Sequence, residues 1–320
     1  MNRMIKEGGL LFLRATGHLE RCLSRSAAAA RILTYHGLCR DEHAGQEWVP
    51  DSFVTVRRFE WQMEYLAEKM VPIRLDELAA MLKRGDPPTP RTVVVTFDDG
   101  LANTVRLAAP ILAKYGLKAT FFLTTALIGT EQLLWFDRLR WIRRLAAPAV
   151  VRGDDLLSGR IDPKKADVRD VLARLDPWWA EIRGRIPTHV LDALRLMTWE
   201  EARALQRAGH SIGAHTRNHA ILSAQPDPVR QEEIIGSVRE VRERCGTSWL
   251  PFAYPNGQPG DFDHRDAEWL RACEVGCAVT TVAGPNQADQ DLLRLRRNSI
   301  GRYHTHAGFL AELAGLRDRG

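Results

Sequence analysis

Strand and helix signals alternate along this 320-residue chain as repeated βα units, which predicts an α/β fold that counts as a (β/α) barrel. A second observation is Val93-Val94-Val95, an apolar β-branched run of the kind found in buried parallel strands. It is followed at once by Asp98-Asp99-Gly100, so two carboxylates emerge where a strand ends, the position at which α/β proteins carry their chemistry. The third is composition: 320 residues at 45% hydrophobic content can bury a full core, and one large domain accommodates them.

The elements follow in order. A strand is expected over Arg31–Tyr35, an amphipathic helix over Arg57–Met70 and a short helix over Leu75–Lys83. The proline-rich linker Gly85-Asp86-Pro87-Pro88-Thr89-Pro90 separates them from the Asp-Asp strand. Next come a helix over Asn103–Tyr115, a strand over Lys118–Thr124, a short strand Ile212-Gly213-Ala214, a helix over Val229–Arg244 and a strand over Trp249–Ala253. A helix over Asp266–Val275, a strand over Cys277–Val282 and a late strand over Leu292–Arg296 complete the pattern.

Residues 131–197 interrupt it with a helical, Trp- and Arg-rich insertion containing Trp135-Phe136, Trp141 and Trp178-Trp179. The insertion ends at Thr198-Trp199-Glu200-Glu201, a capping box for the next helix. Its aromatics either pack the inserted helices onto the barrel or serve as a lid or a lipid- or glycan-binding element. Residues 1–30 read as an N-terminal helical segment. The apolar run Gly8–Leu13 within it is too short for a signal sequence or a membrane span.

Two imidazoles, His215 and His219, stand four residues apart just after a short strand. One carboxylate with two imidazoles is a common catalytic set of zinc ligands that leaves a coordination position open.

At Thr96-Phe97-Asp98-Asp99-Gly100, His215-Thr216-Arg217-Asn218-His219 and Phe252-Ala253-Tyr254-Pro255-Asn256-Gly257 the chain resembles the polysaccharide deacetylases with a NodB-homology domain, carbohydrate esterase family four. Arg31–His36 is similar to that family's opening strand, and Gly209–His215 to the residues leading into its histidine motif. The likeness covers about residues 31–300, and the Phe-Ala-Tyr-Pro-x-Gly motif resembles a branch associated with exopolysaccharide synthesis. It implies a distorted, incomplete barrel within a deacetylase domain over residues 31–320, and a hydrolase that removes N-acetyl groups from N-acetylhexosamine units of a surface glycan, oligosaccharide or lipid-linked precursor.

Residue by residue, the resemblance makes Asp98 the base and Asp99, His215 and His219 the ligands of a divalent metal, zinc first, with Co2+ or Ni2+ as alternatives. It places the oxyanion and substrate at Tyr254, Pro255 and the main-chain amide of Asn256. Two departures stand out. The Arg of the family's Arg-x-Pro-Tyr motif is missing here, and Arg297 near the late strand is its expected substitute. The family's Leu-x-His, whose His protonates the leaving amine, has no clean match, which leaves His304, His306 and His36 as replacements.

A deformylase or other metal amidohydrolase on the same scaffold, or a non-catalytic glycan-binding relative, are the alternative readings. Retention of the base and all three ligands argues against the last.

A net charge of +5 raises the prospect of an anionic partner, but the basic residues are interleaved with 40 acidic ones, as on an ordinary solvated surface. No nucleic-acid partner is therefore expected. Of the 45 basic residues only seven are Lys, and Arg is the better bidentate partner for phosphate or carboxylate, so a phosphorylated or acidic glycan fits. Five cysteines without CxxC spacing point to a reducing compartment, hence a cytoplasmic location, at the inner face of the membrane if the N-terminal segment lies on it.

Overall fold

The computed structural model describes residues 29–318. The expected N-terminal helical segment lies, up to residue 28, outside the described residues, and so does Cys22.

Eight parallel strands form one sheet: β1 (Arg31–Tyr35), β2 (Val71–Pro72), β3 (Thr92–Phe97), β4 (Ala119–Leu123), β5 (Ser211–Ala214), β6 (Pro251–Ala253), β7 (Cys277–Val279) and β8 (Asn298–Ser299). Their order is β8-β1-β3-β4-β5-β6-β7, with β2 pairing the start of β3. Every pairing is parallel. The C-terminal ends of β1, β3, β5 and β6 therefore open on one side, and the motif residues follow those ends.

The sheet curls into an incomplete barrel. Among the described residues β7 and β8 do not pair; instead the segment before β8 is bridged to β7 at Val279 and Leu295, with Leu295 N–H to Ala278 O at 3.0 Å and Thr280 N–H to Leu295 O at 2.8 Å. This corrects the expectation of a strand over Leu292–Arg296. Asp291 accepts from the Leu293 and Arg294 N–H groups and bends the chain into a turn, so regular pairing begins only at Asn298.

Alternation along the strands feeds two cores. Ile32, Val94, Phe122, Ala253, Val279 and Leu295 form an inner cluster with the helix Leu75–Lys83, while Leu33, Val93, Val95, Phe97 and Phe121 face the outer helices. Thr34, Thr96 and Asp98 continue the inner parity of Ile32 and Val94. Gly213 in β5 is required by packing, since a Cβ there would stand 2.7 Å from Pro251 O and 2.5 Å from the Phe122 ring.

Two expected helices carry a wide turn. The one expected over Asn103–Tyr115 is π-helical at Thr104–Ala108, just before Pro110, which has no N–H to continue the ladder. The one expected over Val229–Arg244 is π-helical at Glu232–Gly236.

The insertion is helical from Trp135–Leu145 to Thr188–Leu194 and has its own core, with Leu139, Ile142, Val171, Leu175, Trp179 and Ile182 buried. Trp135, Trp141 and Trp179 are buried and Trp178 only partly so; most of these aromatics thus pack helix against helix. Among the described residues no helix is long and apolar enough to cross a membrane.

Leu175 is fully buried at the centre of that core. Leu175→Ala should lower stability by about 3 kcal/mol, the scale of a large-to-small change in a packed core, read as a lowered denaturation midpoint with an unchanged slope.

Candidate metal centre and catalytic cavity

Asp98 and Asp99 leave the end of β3, and the Asp98 N–H donates to Tyr35 O at the end of β1, 2.9 Å away. The chain then reverses sharply. Asp99 takes a left-handed φ of 74° followed by Gly100 at 83°, which turns consecutive carboxylates in different directions.

The Asp98 carboxylate meets Arg297 in a two-pronged pair, Nη1 to Oδ1 and Nη2 to Oδ2, each 2.7 Å. Arg297 is wholly buried; its Nε donates to Thr280 O at 2.7 Å, and Nη1 also reaches the Thr34 and Thr96 hydroxyls at 3.0 and 3.1 Å. Burial alone would raise the Asp98 pKa, but the charge of Arg297 outweighs it and holds the carboxyl well below the usual carboxylate range. Asp98 is therefore an anion at neutral pH.

Asp99 has no such partner. Its Oδ1 is buried without a hydrogen bond, 3.6 Å from His215 Nε2 and 3.4 Å from His219 Nε2. Burial and the neighbouring Asp98 and Asp137 push its pKa well up in the absence of a cation. The three ligand atoms lie within 4.8 Å of one another.

His215 Nδ1 lies 2.7 Å from Ala253 O, and because a carbonyl only accepts, that nitrogen carries the proton and Nε2 keeps its lone pair. Burial pushes the His215 pKa down to about 4 and that of His219 well below the ordinary value, so both rings are neutral. A buried carboxylate oxygen without a partner, facing two neutral imidazoles, is a donor set that fits a divalent cation.

The histidine loop is held from beneath. Thr216 and His219 have left-handed φ values of 60° and 56°. The buried Glu233, from the π-helical turn, accepts from the Arg217 and Asn218 N–H groups at 2.9 and 2.8 Å and from Asn218 Nδ2 at 2.7 Å. Sequence reasoning missed Glu233, and only a π-turn placing it under the loop distinguishes it from any other helical Glu.

A cavity of about 390 Å³ opens over these groups. His36, Asp98, Asp99, His215, His219 and Asn256 contribute to its walls, joined by Trp135, Phe136 and Lys164 from the insertion. The Trp135 indole N–H donates to His219 O at 3.1 Å, and the Phe136 ring packs on the His219 ring at 5.1 Å. The sequence leaves Trp135 and Phe136 open between helix packing and a lid or glycan-binding element; Lys164 was not expected at the site.

Asn256 is left-handed, with φ 60°, and among the described residues its main-chain N–H finds no acceptor. Gly257 behind it must be Gly, because its φ is 64° and a Cβ would lie 2.9 Å from Tyr254 O. Tyr254 and Pro255 are not walls of the cavity; Tyr254 is buried and stacked on Phe262 at 3.9 Å, where its ring supports the loop from the core side.

The three histidines considered as proton donors separate clearly. His36 follows β1, lines the cavity and lies close enough to Asp98 and Arg297 for their charges to act on it. His304 is drawn away, its Nε2 3.3 Å from Glu312 and its Nδ1 accepting from Gly301 N–H, because the C-terminal helix offers a buried carboxylate there. His306 stacks on Trp61 at 3.7 Å outside the cavity.

A sequence model of the polysaccharide deacetylase family matches residues 85–271. YxkH of Bacillus subtilis, named as a polysaccharide deacetylase, is 32% identical over 88 residues, which is 27% of this chain and 32% of that protein; the chain thus matches about a third of that relative's length. In structure, the Streptococcus pyogenes deacetylase PplD superposes over 89% of this chain and 98% of its own with TM-score 0.61 at 19% identity. IcaB from Ammonifex degensii covers 92% and 99% with TM-score 0.61 at 17% identity. Together with the NodB-type barrel and the motifs at its open end, the profile match over more than half of the sequence establishes that the chain belongs to the polysaccharide deacetylase family.

Proposed function

We propose that the protein is a metal-dependent de-N-acetylase acting on N-acetylhexosamine units of a glycan, oligosaccharide or lipid-linked precursor. The observation that carries this reading is the pairing of an orphaned carboxylate, Asp99, with two neutral imidazoles beside a separate, arginine-clamped carboxylate, Asp98. A divalent ion held by Asp99, His215 and His219, zinc before Co2+ or Ni2+, would supply Lewis-acid polarisation and hydroxide near neutrality.

The chain's own residues account for the remaining steps. Asp98, kept ionised by Arg297, takes the proton of the water that attacks the acetamide carbonyl. The Asn256 N–H, which has no internal partner, donates to the oxyanion as the carbonyl carbon becomes tetrahedral. Collapse expels an amine, which leaves only when protonated; the proton that Asp98 took from the water passes to it through His36 in the cavity wall. Trp135 and Phe136 exclude water from one side. Acetate and an amino sugar are the products. A cytoplasmic setting, at the inner face of the membrane for a lipid-linked substrate, accords with free Cys39, Cys245, Cys273 and Cys277 among the described residues.

The metal reading is tested by chelation. Wild-type protein should retain one equivalent of zinc after dialysis against a mild chelator, whereas Asp99→Ala and His215→Ala should lose it; full retention by both variants would remove the assignment.

Separating base from ligand requires a different variant. Asp98→Asn should keep its zinc and lose about 10²-fold or more in acetate release. Undiminished turnover would show that another group takes the proton.

The clamp on Asp98 gives a pH prediction. A base that must be ionised works above its pKa, and Arg297 holds that pKa low. In Arg297→Met the Asp98 pKa rises, so the acid limb of kcat/KM should move to higher pH. An acid limb unmoved in a folded, zinc-loaded variant would exclude this role for Arg297.

A further inference from the structure

A second cavity, of about 580 Å³, adjoins the catalytic one. The two share Trp135, Phe136 and Lys164 as common walls, so a molecule in one is in reach of the other. Its lining includes the aromatics Trp135, Phe136 and Trp141 and the basic side chains Arg143, Arg144 and Lys164.

Among the described residues, two of those cations lack an acidic partner. Lys164 Nζ donates to the neutral Asn256 side chain at 3.0 Å, and the Arg143 guanidinium donates only to the main-chain carbonyls of Leu156 and Leu157, both at 2.8 Å. Arg144 lies over the Trp141 ring at 5.4 Å and pairs with an exposed Glu47 at 2.8 Å. Arg140 also lines the space, turned to the buried Asp137 at 3.1 Å, and Asp162 adds one negative charge. Four cationic side chains face two anionic ones, Glu47 and Asp162.

We propose that this cavity is a substrate subsite for the part of the glycan next to the N-acetylated residue. A sugar face stacks on the aromatic wall, and an anionic group, phosphoryl or carboxylate, pairs with Lys164, Arg143 and Arg144. The inference rests on the deacetylase reading and adds to it a preference for anionic substrates. Its physical ground is that aromatic faces take the apolar side of a pyranose, while partner-poor cations beside low-dielectric walls bind anions more strongly than cations in open water do. Lys164 belongs to both spaces: the residue that recognises the anion also touches the Asn256 loop, so occupancy of the subsite positions the acetamide.

The test uses the full zinc-loaded chain and three probes: neutral chitotetraose, UDP-N-acetylglucosamine with its diphosphate, and a hyaluronan tetrasaccharide with its uronates. Binding is followed by quenching of tryptophan fluorescence, and acetate release is measured in parallel. At least one anionic probe should bind about tenfold more tightly than chitotetraose, the scale of one charge-assisted pair. The double variant Lys164→Gln/Arg144→Gln should erase that preference; both side chains are exposed, so the fold should survive. Preference for the diphosphate or the uronate identifies which anion the subsite takes. Equal binding of all three probes by wild type, or a preference that persists in the double variant, would overturn the subsite. Preserved anion preference with no acetate released from any probe would instead overturn the deacetylase reading and leave the subsite standing.

Discussion

The buried pair between Arg297 and Asp98 is the contact on which the site and the closure of the barrel both depend. Arg297 stands in the gap where β7 and β8 fail to pair, and its guanidinium spans it by hydrogen bonds to Thr280 on one side and to Thr34, Thr96 and Asp98 on the other. Removing either partner leaves an uncompensated charge in the interior, at a cost of about 3–5 kcal/mol. One pair thus joins the last segment of the chain to the first and third strands and fixes the ionisation of the carboxylate at the cavity floor.

Around that pair the backbone is strained in a consistent way. Asp99, Thr216, His219 and Asn256 are all non-glycine residues in the left-handed region, and all four line or adjoin the cavity. Each is held by something outside its own loop. Thr216 O and Arg217 O accept from the Thr125 and Ala126 N–H groups, Glu233 captures the next two amides, and Lys164, Asp261 and Thr281 all bond to Asn256. Strain of about 1–3 kcal/mol per residue persists only with such surroundings. The geometry of the proposed ligands is accordingly a property of the packed whole, and loosening the support under the histidine loop should affect metal retention before it affects the fold.

The sequence was most informative where chemistry and periodicity coincide. Val93–Val95 marks a strand because every position on it is buried, and Asp98, Asp99, His215 and His219 were legible because their spacing and order carry a known motif. Arg297 could be approached only from its position near the end of the expected late strand, since nothing else local distinguishes it from Arg294 or Arg296; its distinction is a parity and a gap in the sheet, which exist only after closure. The late strand failed for a related reason, because the Asp291 turn overrides the apolar alternation of Leu293 and Leu295. Trp135, Phe136 and Lys164 reach the cavity, and Glu233 reaches the histidine loop beneath it, only through tertiary placement, across 15 to 92 residues in the contacts they make.

An arginine in the sheet gap and none on the Tyr254–Gly257 loop sets what that loop is free to do. With no guanidinium projecting from it, the Tyr254–Gly257 segment is fixed at its base by Tyr254 stacked on Phe262 and at its tip by Asp261, Thr281 and a lysine from the insertion. The guanidinium paired with Asp98 is wholly buried and absent from the cavity wall, whereas the lysine that touches Asn256 is exposed and borders the second cavity. Ionisation of the proposed base and placement of the proposed oxyanion donor are consequently governed by separate parts of the molecule. The first is set once by folding of the barrel, and the second lies within reach of the insertion and of whatever the insertion binds.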